Sequence, residues 1–331
     1  MIIDVHAHAV SEDFIRRTAA RPDYGLPYEV RPDGSYLTRG YGETERMLWD
    51  VDARLKSLER RGIDLQLVSP SPRTLSDHQR AIGVEIARLM NRDTAELVKR
   101  GGGRLAGMAV LPLGEPDKAP DELRRAIGEY GFRCALIPTS AAGAPLDLPQ
   151  FEVTWETLEE HGLLVFMHGT TAIVRQTLAE YTLNTILAWP TEVTIAAARL
   201  IFSGLLEQHP ALSLLLAHGG GTLPYLAGRL DLAYAAPRHE ANPACRAHIS
   251  KPPSQYLRQL YYDTVVASPA SLRFLVDLVG VERVMFGTDF PYEIGDAEGA
   301  IALPVLADLP RAQRERILGE NAREVLRRCS R

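Results

Sequence analysis

Short apolar runs alternate with longer amphipathic stretches from one end of the chain to the other. Met1-Ile-Ile-Asp-Val-His6-Ala-His8 opens it with an apolar, β-branched run that reads as a strand. Residues 11–42 are rich in charge, Pro, Gly and Tyr and lack a sustained apolar period. They read as an excursion over the end of that strand, in the position of a lid. Over 43–61 the spacing turns helical, with Leu48, Val51, Leu55 and Leu58 on one face, and Gly62 ends it. A second strand over 63–69 runs into Ser69-Pro-Ser-Pro, and a helix over 77–100 is broken by Gly101-Gly-Gly.

The same alternation continues. Strands are predicted over 104–111, 134–138 and 163–168, separated by helices over 116–130 and 150–161. A second long connection, 170–190, leads to a helix over 191–208 and a sixth strand over 212–218. Gly219-Gly-Gly and another helix follow. After an irregular stretch at 236–253 come a strand over 260–266, a helix over 269–279, an eighth strand over 283–289 and a terminal helix from about 310. Eight short strands alternating with helices specify a parallel sheet, and eight is the number that closes a (β/α)8 TIM barrel. The fold expected is one such α/β barrel domain over residues 1–331, with insertions after strands 1 and 5. A doubly wound open sheet is the alternative, but Gly219-Gly220-Gly221 lacks the G-x-G-x-x-G spacing of a dinucleotide site.

Composition narrows the function. The net charge of −5 gives no basic nucleic-acid footprint, and small molecules are the partners expected. Cys134, Cys245 and Cys329 are widely spaced, forming neither a disulfide framework nor a thiolate metal pair, which fits a reducing cytoplasm. His6 and His8 stand too near the start for a cleavable signal to precede them, and no apolar run reads as long enough to cross a bilayer.

Side chains alternate along a strand, so His6 and His8 point the same way and two imidazoles converge. A metal site and a pair of surface histidines are both open readings of that pair. Other strands also end in groups that bind or activate: His168 on the fifth, His218 on the sixth and Asp289 on the eighth. In a barrel these ends share one face, where active sites are built. Singly, His168 or His218 reads as a satisfied core histidine and Asp289 as a loop cap; their common placement favours a site. His78, His161, His209, His239 and His248 lack that placement and read as structural.

Several segments carry a family resemblance: Asp4-Val-His6-Ala-His8, Phe166-Met-His168-Gly, Leu216-Ala-His218-Gly-Gly-Gly221, Gly228-Arg229, Phe286-Gly-Thr-Asp289-Phe-Pro291, Trp189-Pro-Thr-Glu192 and Tyr262-Asp-Thr264. On these the chain resembles the amidohydrolase superfamily, and within it the branch of aminocarboxymuconate semialdehyde decarboxylase and related aromatic-acid decarboxylases. The resemblance implies that His6, His8, His168 and Asp289 bind one divalent metal, most often zinc, with manganese as the other candidate. It further implies that His218 is the catalytic acid/base, working beside Asp289, and that Arg229 reaches a substrate carboxylate across a homodimer interface. Binuclear relatives carry a lysine at the end of strand four; Leu136-Ile-Pro-Thr-Ser140 has none, so a single metal is expected.

Two departures bear on the substrate. The decarboxylase has His-Pro-Trp where this chain has His168-Gly169-Thr170, and its substrate-binding arginine before a tryptophan is matched only loosely by Arg46 near Trp49. Arg46 and Arg73 are the further candidates for binding a carboxylate, against a reading as solvated surface charges. The function expected is a metal-dependent decarboxylase of a small aromatic or muconate-type carboxylic acid. A hydrolase of a lactone, amide or C–C bond, or a hydratase, is the alternative. A barrel that binds metal without catalysis is the third, and an intact His218 speaks against it.

Overall fold

The computed structural model describes residues 1–75, 82–170, 178, 180–236 and 244–329, apart from the side chains of Arg73 and Leu75. Eight parallel strands form its centre: β1 (Ile3–His8), β2 (Leu65–Ser69), β3 (Leu105–Val110), β4 (Cys134–Pro138), β5 (Leu164–His168), β6 (Ser213–Leu216), β7 (Tyr261–Asp263) and β8 (Val284–Met285). They lie in the sheet in the order in which they occur in the chain. The ring closes where Val5 N donates to Phe286 O at 2.9 Å and His8 N to Phe290 O at 2.8 Å, with Ala7 bridging Phe290. This is the (β/α)8 barrel that the alternation of elements predicts.

The strands are near-continuous apolar runs because both faces are covered. Every residue of β5 is buried, for example, facing either the barrel interior or the helices outside. Those helices are α1 (Val51–Arg61), α2 (Val84–Arg100), α3 (Ala119–Tyr130), α4 (Glu152–Glu160), α5 (Trp189–Phe202), α6 (Leu223–Ala235), α7 (Pro269–Val279) and α8 (Asn321–Arg328). At the start of α1 the Asp50 carboxylate accepts from Ala53 N, and at its end Gly62 takes a left-handed φ of 66°.

Three expectations are corrected. The helix predicted over 43–61 begins only at Val51, because Asp50 caps it and the preceding residues form a strand and a short turn of 3-10 helix at Arg46–Leu48. The excursion after β1 is structured: Ser11 caps a helix, Glu12–Ala19, and Tyr28–Val30, Tyr36–Thr38 and Gly42–Glu43 form a small antiparallel sheet. One continuous helical segment, Asn184–Phe202, has 19 residues with mean hydropathy 1.3, so one run is long and apolar enough to cross a bilayer. More than half of it is buried inside the protein, as a helix of the barrel's outer layer. Part of the connection after β5, together with His78 and His239, lies outside the described residues.

Candidate metal centre

His6, His8, His168 and Asp289 meet at the C-terminal end of the barrel. One ligand-type atom from each lies within 4.8 Å of all the others, and all four residues are buried. Nε2 of His6 and Nε2 of His8 approach to 3.2 Å, and they stand 3.3 and 3.1 Å from Oδ1 of Asp289.

The opposite ring nitrogens are held. His6 Nδ1 is 2.6 Å from Asp263 Oδ2, His8 Nδ1 is 2.9 Å from Ser69 Oγ, and His168 Nδ1 is 2.6 Å from the Gly169 carbonyl. A carbonyl only accepts, so His168 carries its proton on Nδ1 and turns the Nε2 lone pair inward. That Nε2, the Nε2 of His218 and Oδ1 of Asp289 are buried without a hydrogen-bond partner. Unsatisfied buried acceptors are costly. Lone-pair atoms converging in this way fit a divalent cation, which three imidazoles and a carboxylate would hold with a position left for a further ligand.

The electrostatics follow from burial and two carboxylates. Burial pushes His8 down to about 4, against the pull of Asp289, and holds His168 well below the usual imidazole range. Burial also opposes charge on His6, but Asp289 and Asp263 outweigh it and raise that ring to about 10. For Asp289 burial favours the neutral acid, yet the nearby His6 and His8 rings hold the carboxyl well below its usual range. The site is therefore arranged to receive positive charge.

His218 lies just beyond β6 with a left-handed φ of 54°, and Asp289 has a φ of 57°. Neither is glycine, so both positions carry backbone strain of the kind concentrated at functional sites. The glycines after His218 answer a steric need. A Cβ on Gly219 would lie 2.3 Å from Val266, and one on Gly221 2.0 Å from the Pro190 carbonyl. The tight turn brings the His218 ring within 4.8 Å of the His168 ring and 5.2 Å of the His6 ring, centre to centre. Burial lowers the His218 pKa.

His218 and Asp289 border a cavity of about 440 Å3 whose walls include Ile186, Leu187, Val265 and Phe274. Among the described residues no lysine or arginine lines it. Arg46 is brought elsewhere: its side chain is 72% exposed and its guanidinium pairs with Asp50 at 2.7 Å, at the start of α1. Arg229 is exposed on α6, outside the cavity lining, and the Arg73 side chain falls outside the described residues. His209 is a structural histidine, held by Glu152 at 3.0 Å and Glu159 at 2.9 Å. Next to His168, Gly169 leaves room for Trp189: a Cβ there would meet the Trp189 backbone at 2.7 Å.

Sequence reasoning assigned no role to Asp263 or Glu192. Buried Glu192 accepts from Thr139 Oγ1 at 3.1 Å and Thr170 N at 2.9 Å, tying together the ends of β4 and β5. The signal for Asp263 was a lone acid inside the apolar run 260–266.

Known proteins share this arrangement of chain. The Amidohydrolase family model matches residues 3–328. The 2-amino-3-carboxymuconate-6-semialdehyde decarboxylase of Dictyostelium discoideum is 28% identical over 98% of this chain and 91% of its own. The gamma-resorcylate decarboxylase of Rhodococcus jostii is 30% identical over 84% of this chain and 88% of its own. A dihydroxybenzoic acid decarboxylase from Polaromonas sp. JS666, solved with bound manganese and 2-nitroresorcinol, superposes with a TM-score of 0.75 at 23% identity, covering 98% of this chain and 96% of the other, a likeness of fold. The chain belongs to the amidohydrolase family.

Proposed function

We propose that the protein is a metal-dependent carboxy-lyase that removes CO2 from a small aromatic or muconate-type carboxylic acid. The observation that carries this reading is the convergence of unpartnered His168 Nε2, His218 Nε2 and Asp289 Oδ1 at the edge of an apolar cavity. The decarboxylase relatives named above supply the reaction class. His6, His8, His168 and Asp289 are the residues we assign to one divalent ion per chain, zinc or manganese. When bound, the ion supplies Lewis acidity and a fixed positive charge.

The chain's own groups divide the remaining work. The apolar walls exclude water and stack against a ring or conjugated chain. Breaking the C–C bond leaves an electron pair on the carbon that bore the carboxylate, and that carbon needs a proton. His218 is assigned as its donor. Its Nε2 has no competing partner, and burial keeps its pKa low, so a proton placed there is readily given up.

The active form is proposed to be a cytoplasmic homodimer of single-domain chains over 1–331. Tyr225 and Leu232, 81% and 70% exposed, flank Arg229 on α6, an apolar face around a cation that has no ion pair among the described residues. Since no cation among the described residues of the same chain lines the cavity, Arg229 of a second copy is the group proposed to position a substrate carboxylate.

A panel of aromatic and muconate-type acids, with lactone and amide controls, tests the reading by mass spectrometry. Loss of CO2 from an acid supports it. Turnover confined to the lactones or amides, with gain of water, contradicts it.

A further inference from the structure

β7 ends in a carboxylate that touches both halves of the candidate site. Asp263 is fully buried. Its Oδ2 lies 2.6 Å from Nδ1 of His6 and accepts from His218 N at 3.0 Å. Its Oδ1 accepts from Gly219 N at 2.9 Å and Val265 N at 3.0 Å. One side chain thus binds a proposed metal ligand and the strained backbone that carries the proposed proton donor. His218 and Gly219 have left-handed φ of 54° and 59°, and their amides point at the two oxygens of this group.

Closing a turn does not require a charge. One neutral acceptor oxygen is enough to cap a turn amide, whereas burying a carboxylate costs several kcal/mol unless positive charge offsets it. Among the described residues no lysine or arginine pairs with Asp263. The partner that justifies its charge is the His6 imidazole, whose other nitrogen faces Asp289 and His8. With Nδ1–H donated to Asp263, His6 is fixed in the tautomer that offers its Nε2 lone pair to a cation.

We propose that Asp263 is a positioning residue that sets the His6 tautomer and the placement of His218 together, coupling metal affinity to proton delivery. This rests on the metal-centre reading above. Asparagine in its place keeps the size, but its NH2 faces donors at His6 Nδ1 and His218 N or else at Gly219 and Val265. Whichever way the amide turns, two of four contacts become donor against donor.

The test compares wild-type protein with Asp263→Asn by titrating cobalt(II) into metal-stripped samples, recording the visible spectrum and then turnover at saturating metal. The wild type is expected to bind about one cobalt per chain; none would remove the metal reading itself. Given that binding, the variant is expected to hold cobalt about 10- to 100-fold more weakly, with an altered spectrum. At saturating metal, kcat is expected to fall while KM moves little. Thr264→Val is the structural control, since among the described residues the Thr264 hydroxyl bonds only the Gly287 backbone, donating to its O at 3.0 Å and accepting from its N at 3.1 Å. It is expected to lose stability and keep its cobalt affinity. If Asp263→Asn behaves like that control, losing stability with unchanged affinity, spectrum and kcat, the proposal is overturned. Should Asp263→Asn fail to fold, 15N-histidine NMR of the wild type decides. A low-field proton on His6 Nδ1 supports the proposal, and a His6 ring with no proton there overturns it.

Discussion

Asp4 on β1 and Thr288 just beyond β8 are 284 residues apart in sequence, and the threonine hydroxyl donates to the Asp4 carboxylate at 2.6 Å. Thr288 N donates to the other oxygen at 3.1 Å, and Gln66 on β2 adds a bond of 2.7 Å. The barrel closes at this seam, directly beside His6 and Asp289. Thr288→Val removes one hydroxyl from a buried carboxylate at constant shape. We expect a loss of about 1–3 kcal/mol in denaturant unfolding, largely restored by Thr288→Ser; an unchanged midpoint for the valine variant would contradict this account of the seam.

The two inward histidines separate by role. His168→Ala is expected to weaken metal retention, whereas His218→Ala keeps about one ion per chain by elemental analysis and loses roughly 10²- to 10⁴-fold in kcat. Two ions per chain in the wild type would contradict the mononuclear site, and full activity in His218→Ala would contradict its role as proton donor.

Metal uptake is expected to depend on pH through His6. In metal-free protein Asp289 and Asp263 overcome the effect of burial and raise His6 to about 10, while His8, at about 4, and His168 are already neutral at pH 7. An incoming cation therefore displaces one proton. Affinity rises about tenfold per pH unit between roughly 7 and 9 and levels off above 10. The same raised pKa stabilises the metal-free fold fully below pH 6.5, and that contribution is lost as pH rises through 10. Titration calorimetry in buffers of different ionisation enthalpy counts the protons, and a count of zero at pH 7 contradicts this charge assignment.

Arg229 is expected to act in the neighbouring subunit. Arg229→Ala and His168→Ala, each nearly inactive alone, are expected to recover up to about a quarter of wild-type activity when their subunits exchange, because a mixed dimer holds one intact site. No recovery after exchange is demonstrated by mass spectrometry rules the geometry out.

Much of the fold was legible because a parallel barrel strand, covered on both faces, must be a short apolar run. Their places at strand ends put His6, His8, His168 and Asp289 on one face. What the sequence hid was polar and long-range. Asp4, Gln66 and Asp263 are buried inside apolar strands, and their partners come from other strands far away in sequence, where no periodicity points to them. Arg54 is a similar case. It lies on α1 and is buried, donating to Gln66 Oε1 at 2.6 Å and to the His8 carbonyl. The small sheet after β1 escaped because its strands are too short for alternation to show, with Gly and charged residues between them. Arg46 was drawn toward the site by its neighbour Trp49, but its helical spacing to Asp50 serves the start of α1.

The central claim is that a C–C bond to a carboxyl group breaks in this site and that the vacated carbon takes a proton. Turnover of an accepted aromatic or muconate-type acid in deuterium oxide, followed by mass spectrometry, tests it most directly. The account predicts release of CO2 and a product with one solvent deuteron on the carbon that bore the carboxylate, a product that His218→Ala forms at least 100-fold more slowly. A product that keeps its carboxyl carbon and gains the elements of water would contradict it.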